Sequence, residues 1–138
     1  MLDERQLCLH QVTVLKRWTL PQFIAGVVRH KIGSIAVWRD ALAACGTAEA
    51  ARMIKGEGLE VTSLCAAGLI TMCDPKETAN AMDTLRRAID ETAAIGAKSL
   101  MFVAGGVDPT DKSPQAARAR ALERLSTLTS HARAAGIK

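Results

Sequence analysis

The chain is predicted to be an α/β protein of four strand–helix units on a parallel sheet, and three observations predict it. Three times, at Ile32-Gly33-Ser34-Ile35-Ala36-Val37, Gly58-Leu59-Glu60-Val61 and Ile95-Gly96-Ala97-Lys98-Ser99-Leu100, a helical stretch closes on glycine and a strand-like run begins at once. Glycine suits such a junction because the backbone there turns left-handed, which costs a larger residue steric energy. No two strand-like runs stand close enough for a hairpin, so each helix must carry the chain back to the same end of the sheet. Hydrophobic residues make up 49% of the 138, mainly Ala, Leu, Val and Ile, which suffices for one core; a single domain over residues 1–138 is expected.

The first strand is expected over Gln6 to Val14, on the strand-forming weight of Leu7, Leu9 and Val12. Thr19-Leu20-Pro21-Gln22 then reads as a helix start: Thr19 caps, Pro21 lies where a missing N–H costs nothing, and Gln22 can reach back to the cap. Phe23, Ile24, Val27 and Val28 supply that helix's apolar face. The second strand runs from Ser34 to Trp38, and its nearly unbroken apolar run suits a strand buried on both faces. A short helix from Thr47 to Lys55 precedes the third strand, Leu59 to Leu64 or Cys65, and a loop from Ala66 to Cys73. Asp74-Pro75-Lys76-Glu77 repeats the cap-and-proline grammar, with Met82, Leu85, Ile89 and Ala93 on one helical face. The fourth strand, Ser99 to Val103, ends in Gly105-Gly106. Ser113-Pro114 opens a last helix with Ala121, Leu122, Leu125, Leu128 and Ala132 on one side. Gly136 closes it, and by the same rhythm Ile137 begins a fifth strand just before Lys138.

Two architectures share this alternation, an open doubly wound sheet and a (βα)8 barrel, and in both the ligand meets the carboxyl ends of the strands. That rule gathers His10, Gln11 and Thr13, then Trp38, Arg39 and Asp40, then Ser63 and Cys65, then Gly105, Gly106 and Asp108 on one rim. His10 offers a hydrogen bond or a base, Trp38 a wall, and Arg39 a grip on an anion. Cys65 has no evident base beside it, and Gly105-Gly106 lacks the spacing of a dinucleotide fingerprint.

Composition narrows the classes of function. Aromatics are only 3% with no tyrosine, which argues against stacking platforms for single-stranded nucleic acid. The formal charge of +4 comes from Lys and Arg mixed with acids along the helices, such as Arg86, Arg87, Arg118, Arg120 and Arg124, rather than gathered into a stripe; no nucleic-acid partner is expected. Cys8, Cys45, Cys65 and Cys73 show no paired zinc spacing, so no metal site is read from them. Met1-Leu2-Asp3-Glu4-Arg5 carries charge where a secretory leader needs apolar residues, and no window reaches membrane-spanning length, so a cytoplasmic protein with reduced thiols and no membrane contact is expected.

The ordered set Ile35-Ala36-Val37-Trp38-Arg39-Asp40, Gly58-Leu59-Glu60-Val61-Thr62-Ser63-Leu64-Cys65, Leu85-Arg86-Arg87-Ala88-Ile89-Asp90-Glu91 running into Ala94-Ile95-Gly96-Ala97, and Val103-Ala104-Gly105-Gly106 resembles the sugar phosphate isomerase/epimerase family, the xylose-isomerase-like TIM barrels. A departure is Cys65-Ala66-Ala67-Gly68, where relatives often carry a bulkier or charged residue after the cysteine. The resemblance implies that these four units are the N-terminal half of a (βα)8 TIM barrel. It further implies a divalent metal (Mn, Mg, Zn or Co) at the mouth of the complete fold, assisting proton transfer on a sugar or polyol next to a carbonyl. The family's metal ligands lie on strands five to eight, so no catalytic or metal residue carries over, none of those metals is expected to bind this chain specifically, and the chain alone is expected to be inactive. His10, Trp38 and Arg39 are the implied substrate-binding residues. Barrel dehydratases and abasic-site endonucleases share the fold and stand as alternatives. So does a non-catalytic half-barrel that self-associates through its open edges, and a homo-oligomer is expected.

Overall fold

A computed structural model describes residues 7–137. Strands β1 (Cys8–His10), β2 (Ser34–Trp38), β3 (Glu60–Gly68) and β4 (Ser99–Val103) form one parallel sheet in the order β1-β2-β3-β4. Sequential order favours the barrel grammar: each right-handed crossover steps the same way, so the helices gather on one face and the other face turns inward. Those helices are α1 (Leu20–Arg29), α2 (Arg39–Cys45), α3 (Thr47–Gly56), α4 (Pro75–Ala94) and α5 (Pro114–Ala134).

Alternation along each strand sorts the side chains between the two faces. Leu9, Ile35, Val37, Val61 and Leu64 point to the helices and pack with Leu20, Phe23, Ile24, Val27, Leu42 and Ile54. A second cluster joins Ala67, Ile70, Met82, Leu85, Ala88, Ile89 and Leu128, and Leu100 packs against both. Phe23, Leu20 and Ile24 are almost wholly removed from water, and each such side chain contributes about 1.5–3 kcal/mol.

The predicted helix starts form by the predicted bonds. Thr19 Oγ1 accepts from the Gln22 N–H at 3.4 Å while Gln22 Oε1 accepts from the Thr19 N–H at 2.9 Å. Asp74 accepts from the Glu77 N–H and Ser113 from the Ala116 N–H, each with proline in the first turn.

Elsewhere local contacts redraw the expected bounds. The first strand ends at His10, because the His10 ring accepts the Val12 N–H and the Thr13 hydroxyl donates to the His10 carbonyl, folding Gln11–Val14 into a 3-10 turn. Gln6 lies outside the described residues, as do Met1 to Arg5 and Lys138. Arg39 and Asp40 open α2, a helix additional to the expected one from Thr47; Ala41, Leu42, Ala43 and Ala44 favour it and Gly46, at φ +88°, ends it. The third strand runs on to Gly68, because β4 supplies ladder partners for Ala67 and Gly68 past a register shift after Cys65. On the amphipathic helices, Val28, Ala93 and Leu122 face solvent, and Leu20, Ala88 and Thr92, and Ala117 take the buried positions instead. After α1 the left-handed residue is Lys31 at φ +57°, not Gly33, whereas Gly58, Gly96 and Gly136 adopt it as expected. Of the expected fifth strand only Ile137 is described; it is buried, with its N–H on the Ala132 carbonyl at the end of α5. Among the described residues no helix is long and apolar enough to cross a membrane.

Candidate functional site

At the carboxyl ends of β1 and β2 the inward face carries a paired imidazole and indole. The register sets His10 beside Ala36 and Trp38 beside Cys65, and Cys65 beside Met101. The rings of His10 and Trp38 stand 6.0 Å apart, tilted by 54°. His10 Nδ1 accepts the Val12 N–H at 3.0 Å, which places the neutral ring's proton on Nε2 and leaves Nε2 as a donor. Burial pushes the His10 pKa below its ordinary value, so the ring is neutral at pH 7.

Trp38 is held from two sides. Its backbone N–H donates to Gln11 Oε1 at 3.0 Å, and its indole N–H to Asp40 Oδ2 at 3.3 Å. Behind this pair the Cys65 thiol lies buried, 3.8 Å from the Met101 sulfur and 3.8 Å from the Ser63 hydroxyl, and among the described residues no His, Asp, Glu or Lys side chain is hydrogen-bonded to it. The inner face there is a hydrophobic wall rather than a nucleophile's site.

Arg39 follows Trp38 in sequence but is not brought to it. Its guanidinium makes a two-pronged pair with Glu91 of α4, at 2.5 and 3.1 Å. Such a fork fixes geometry well, so the arrangement ties the start of α2 to α4. Thr13 closes the 3-10 turn and Asp40 orients the indole.

The fourth strand end is a braced loop. Asp108, nearly inaccessible to solvent, accepts from the Cys73 N–H, the Thr110 N–H and the Thr110 hydroxyl, joining the β3–α4 loop to the β4–α5 loop. These bonds, the Thr110 hydroxyl first, hold its carboxyl far below the usual carboxylate range. From α5, Arg120 donates to the Thr71 carbonyl and pairs with Asp111, and Arg124 donates to the carbonyls of Ile70 and Met72. Thr71 donates to the Gly106 carbonyl, and a Cβ on Gly105 would meet Thr71 Oγ1 at 2.5 Å. Gly105 therefore serves the close approach of two loops, whereas Gly106 contributes its carbonyl and a Cβ on it would meet nothing within 4 Å. The sequence carried one local signal for this clamp, Asp108 two residues before Thr110, the spacing of a side-chain turn. The Gln11–Trp38, Arg39–Glu91 and Cys73–Asp108 contacts span 27, 52 and 35 residues, and no local pattern announces them.

A divalent metal needs several converging donors, and among the described residues no group of three or more His, Cys, Asp or Glu side chains could hold one. These residues do not fit such an ion, and no chemical step is assigned through it.

Comparison with known proteins gives the rim its context. The family model described as xylose isomerase-like TIM barrel matches residues 27–138. Protein SMc04130 from Sinorhizobium meliloti 1021 is similar at 36% identity and TM-score 0.92, over 98% of this chain and 49% of that one. A D-allulose 3-epimerase from Methylomonas sp. shares the fold at 23% identity and TM-score 0.75, over 99% and 51%. The IOLI protein, solved with a zinc atom, shares it at 15% identity and TM-score 0.81, over 95% and 49%. The chain thus spans about half the length of these solved structures. No curated protein matches it in sequence.

Proposed function

Because the chain belongs to the xylose isomerase-like TIM barrel family, we propose that it supplies the substrate-facing side of a barrel that isomerises or epimerises a sugar or polyol by proton transfer next to a carbonyl. The observation that carries this reading is the His10–Trp38 pair on the inward face at the strand ends, where barrel ligands sit. The indole offers an apolar wall to the C–H face of a sugar. His10, neutral and with Nδ1 already occupied, offers its Nε2 proton to a hydroxyl or carbonyl oxygen. Arg39 enters through the helix it begins, since its guanidinium is held by Glu91. The likeness to a D-allulose 3-epimerase supports a ketose as the substrate class. Groups that move the proton are not among these residues, so the described half contributes binding and orientation.

A second reading, a self-associating half-barrel, is favoured by a different observation: Met101 and Val103 of β4 are 57% and 55% exposed, an unusual state for inward-facing strand residues.

The test is a titration of the 138-residue chain with D-allulose, followed by the NMR signals of the His10 ring and the Trp38 indole, alone and with Mn²⁺, Mg²⁺, Zn²⁺ or Co²⁺ present. Both signals should move, affinity should fall about tenfold, some 1.4 kcal/mol, in Trp38→Phe and in His10→Asn, and no epimer should form. Unchanged affinity in both variants overturns the pair's role. Turnover that chelation removes and metal restores overturns the division of labour.

A further inference from the structure

We infer that Gln11 is a positioning residue of the His10–Trp38 pair: its carboxamide takes the place of the strand residue that β1 no longer supplies and fixes the corner from which Trp38 reaches His10. The functional meaning of this inference rests on the substrate-facing reading of that pair; the positioning itself rests on geometry.

The β1–β2 ladder ends at the His10–Ala36 pair. Beyond it β1 curls into the 3-10 turn, and the backbone N–H of Trp38, two residues further along β2, would face an empty lane. Gln11, first residue of that turn, fills the lane with its side chain and accepts the Trp38 N–H at 3.0 Å. A side-chain amide carries the same acceptor as a peptide, so the ladder is continued by one rung. The rung lies at the one place where it matters for the pair. Gln11 is bonded in sequence to His10, and Trp38 is the extended N-cap residue of α2, the hinge between strand and helix. With the indole N–H held by Asp40, the Trp38 ring is fixed at backbone and tip.

The other half of the carboxamide shows that packing alone does not account for a glutamine here. Gln11 has 0% of its surface exposed, yet its Nε2 has no partner among the described residues. A buried amide nitrogen without an acceptor is unfavourable, and a methionine of similar shape would avoid it. The glutamine therefore carries a penalty that a methionine would not, and its Oε1 bond to Trp38 is the polar contact that offsets it. The same balance makes Gln11→Met a usable probe: it removes the unpaired nitrogen and the Trp38 bond together, two opposed effects of the same order, so the fold survives.

The experiment measures nuclear Overhauser contacts between His10 and Trp38 ring protons, and the ring-current displacement of the His10 signals, in the 138-residue chain. Gln11→Met should lose the contact and the displacement, and Gln11→Glu, which keeps an acceptor, should retain both. In a Trp38→Leu background Gln11→Met should move the His10 signals no further, since the effect passes through the indole. Persistence of the contact in Gln11→Met, or an equal displacement with and without the indole, overturns the inference. So does a Trp38 amide in the parent chain that exchanges with solvent as fast as an open loop, a reading that needs no variant. A D-allulose titration that leaves His10 and Trp38 unmoved retires the substrate reading instead, and none of the measurements on Gln11 depends on it.

Discussion

The carboxylate of Asp108 and the imidazole of His10 both stand at strand ends, but their hydrogen bonds send them to different work. Asp108 has both carboxylate oxygens engaged by its own loops, from the Cys73 N–H at 2.7 Å to the Thr110 N–H at 2.8 Å; His10 Nε2 makes no hydrogen bond among the described residues. The depressed Asp108 pKa has a consequence for stability with a definite sign. A carboxyl lowered on folding adds stability above its unfolded value, about 3.9, and loses it as pH falls toward the still lower folded value. Asp108→Asn should therefore unfold at lower denaturant concentration than the parent at neutral pH, with a gap that is steady down to about pH 5 and narrows below about pH 4. Denaturant midpoints across that range check it, and a gap that holds its full size to about pH 2 would count against the clamp. At this scale the rim was legible as a list of strand-end residues. Which member faces the mouth was not, because Arg39 is claimed by Glu91, 52 positions away.

Among the elements, β3 runs past its expected end to Gly68. Gly68 sits at its end with φ +139°, and a Cβ there would lie 2.0 Å from the Val103 carbonyl oxygen, the same oxygen that accepts the Leu69 N–H. The strand can follow β4 this closely only because the side chain is absent. Gly46, between α2 and α3, also has positive φ, but a Cβ would meet nothing within 4 Å. The two glycines separate backbone preference from collision. Gly46→Ala should cost about 1 kcal/mol, the conformational share alone, and Gly68→Ala about 3 kcal/mol or more, since backbone must move. Thermal melts of both variants decide it, and equal losses would show that the β3–β4 approach yields easily. The caps of α1, α4 and α5 were legible, because Thr19, Asp74 and Ser113 act within three residues of themselves; α2 and α3 start without a side-chain cap. The length of β3 was not, since its last rungs depend on partners in β4.

On the scale of the whole molecule, the sheet of described strands has two outer members, β1 and β4, and each leaves one row of backbone groups without a strand partner. Both run in the same direction as their neighbours, so β4 of one copy is complementary to β1 of another. Two copies related by a two-fold axis would place eight parallel strands in a ring. We expect the chain to self-associate, and Val103→Lys, which sets a charge on the exposed end of β4, to weaken that association at least tenfold. Sedimentation over a wide concentration range measures both; a folded monomer throughout would retire the expectation.

The sequence by itself determined the four strands, the helices α1, α3, α4 and α5, and their order, because glycine closures, caps and apolar periodicity are decided among residues a few positions apart. It determined as well that the sheet is parallel, since no strands are near enough in the chain to turn back on one another. Only the tertiary structure decided that His10 and Trp38 share a face, that Gln11 continues the ladder to Trp38, and that Arg39 and Asp108 hold helices and loops in place. The physical reason is that a side chain's role depends on which donor or acceptor lies within about 3 Å, and in a parallel fold that partner belongs to the next strand or helix, a full crossover away.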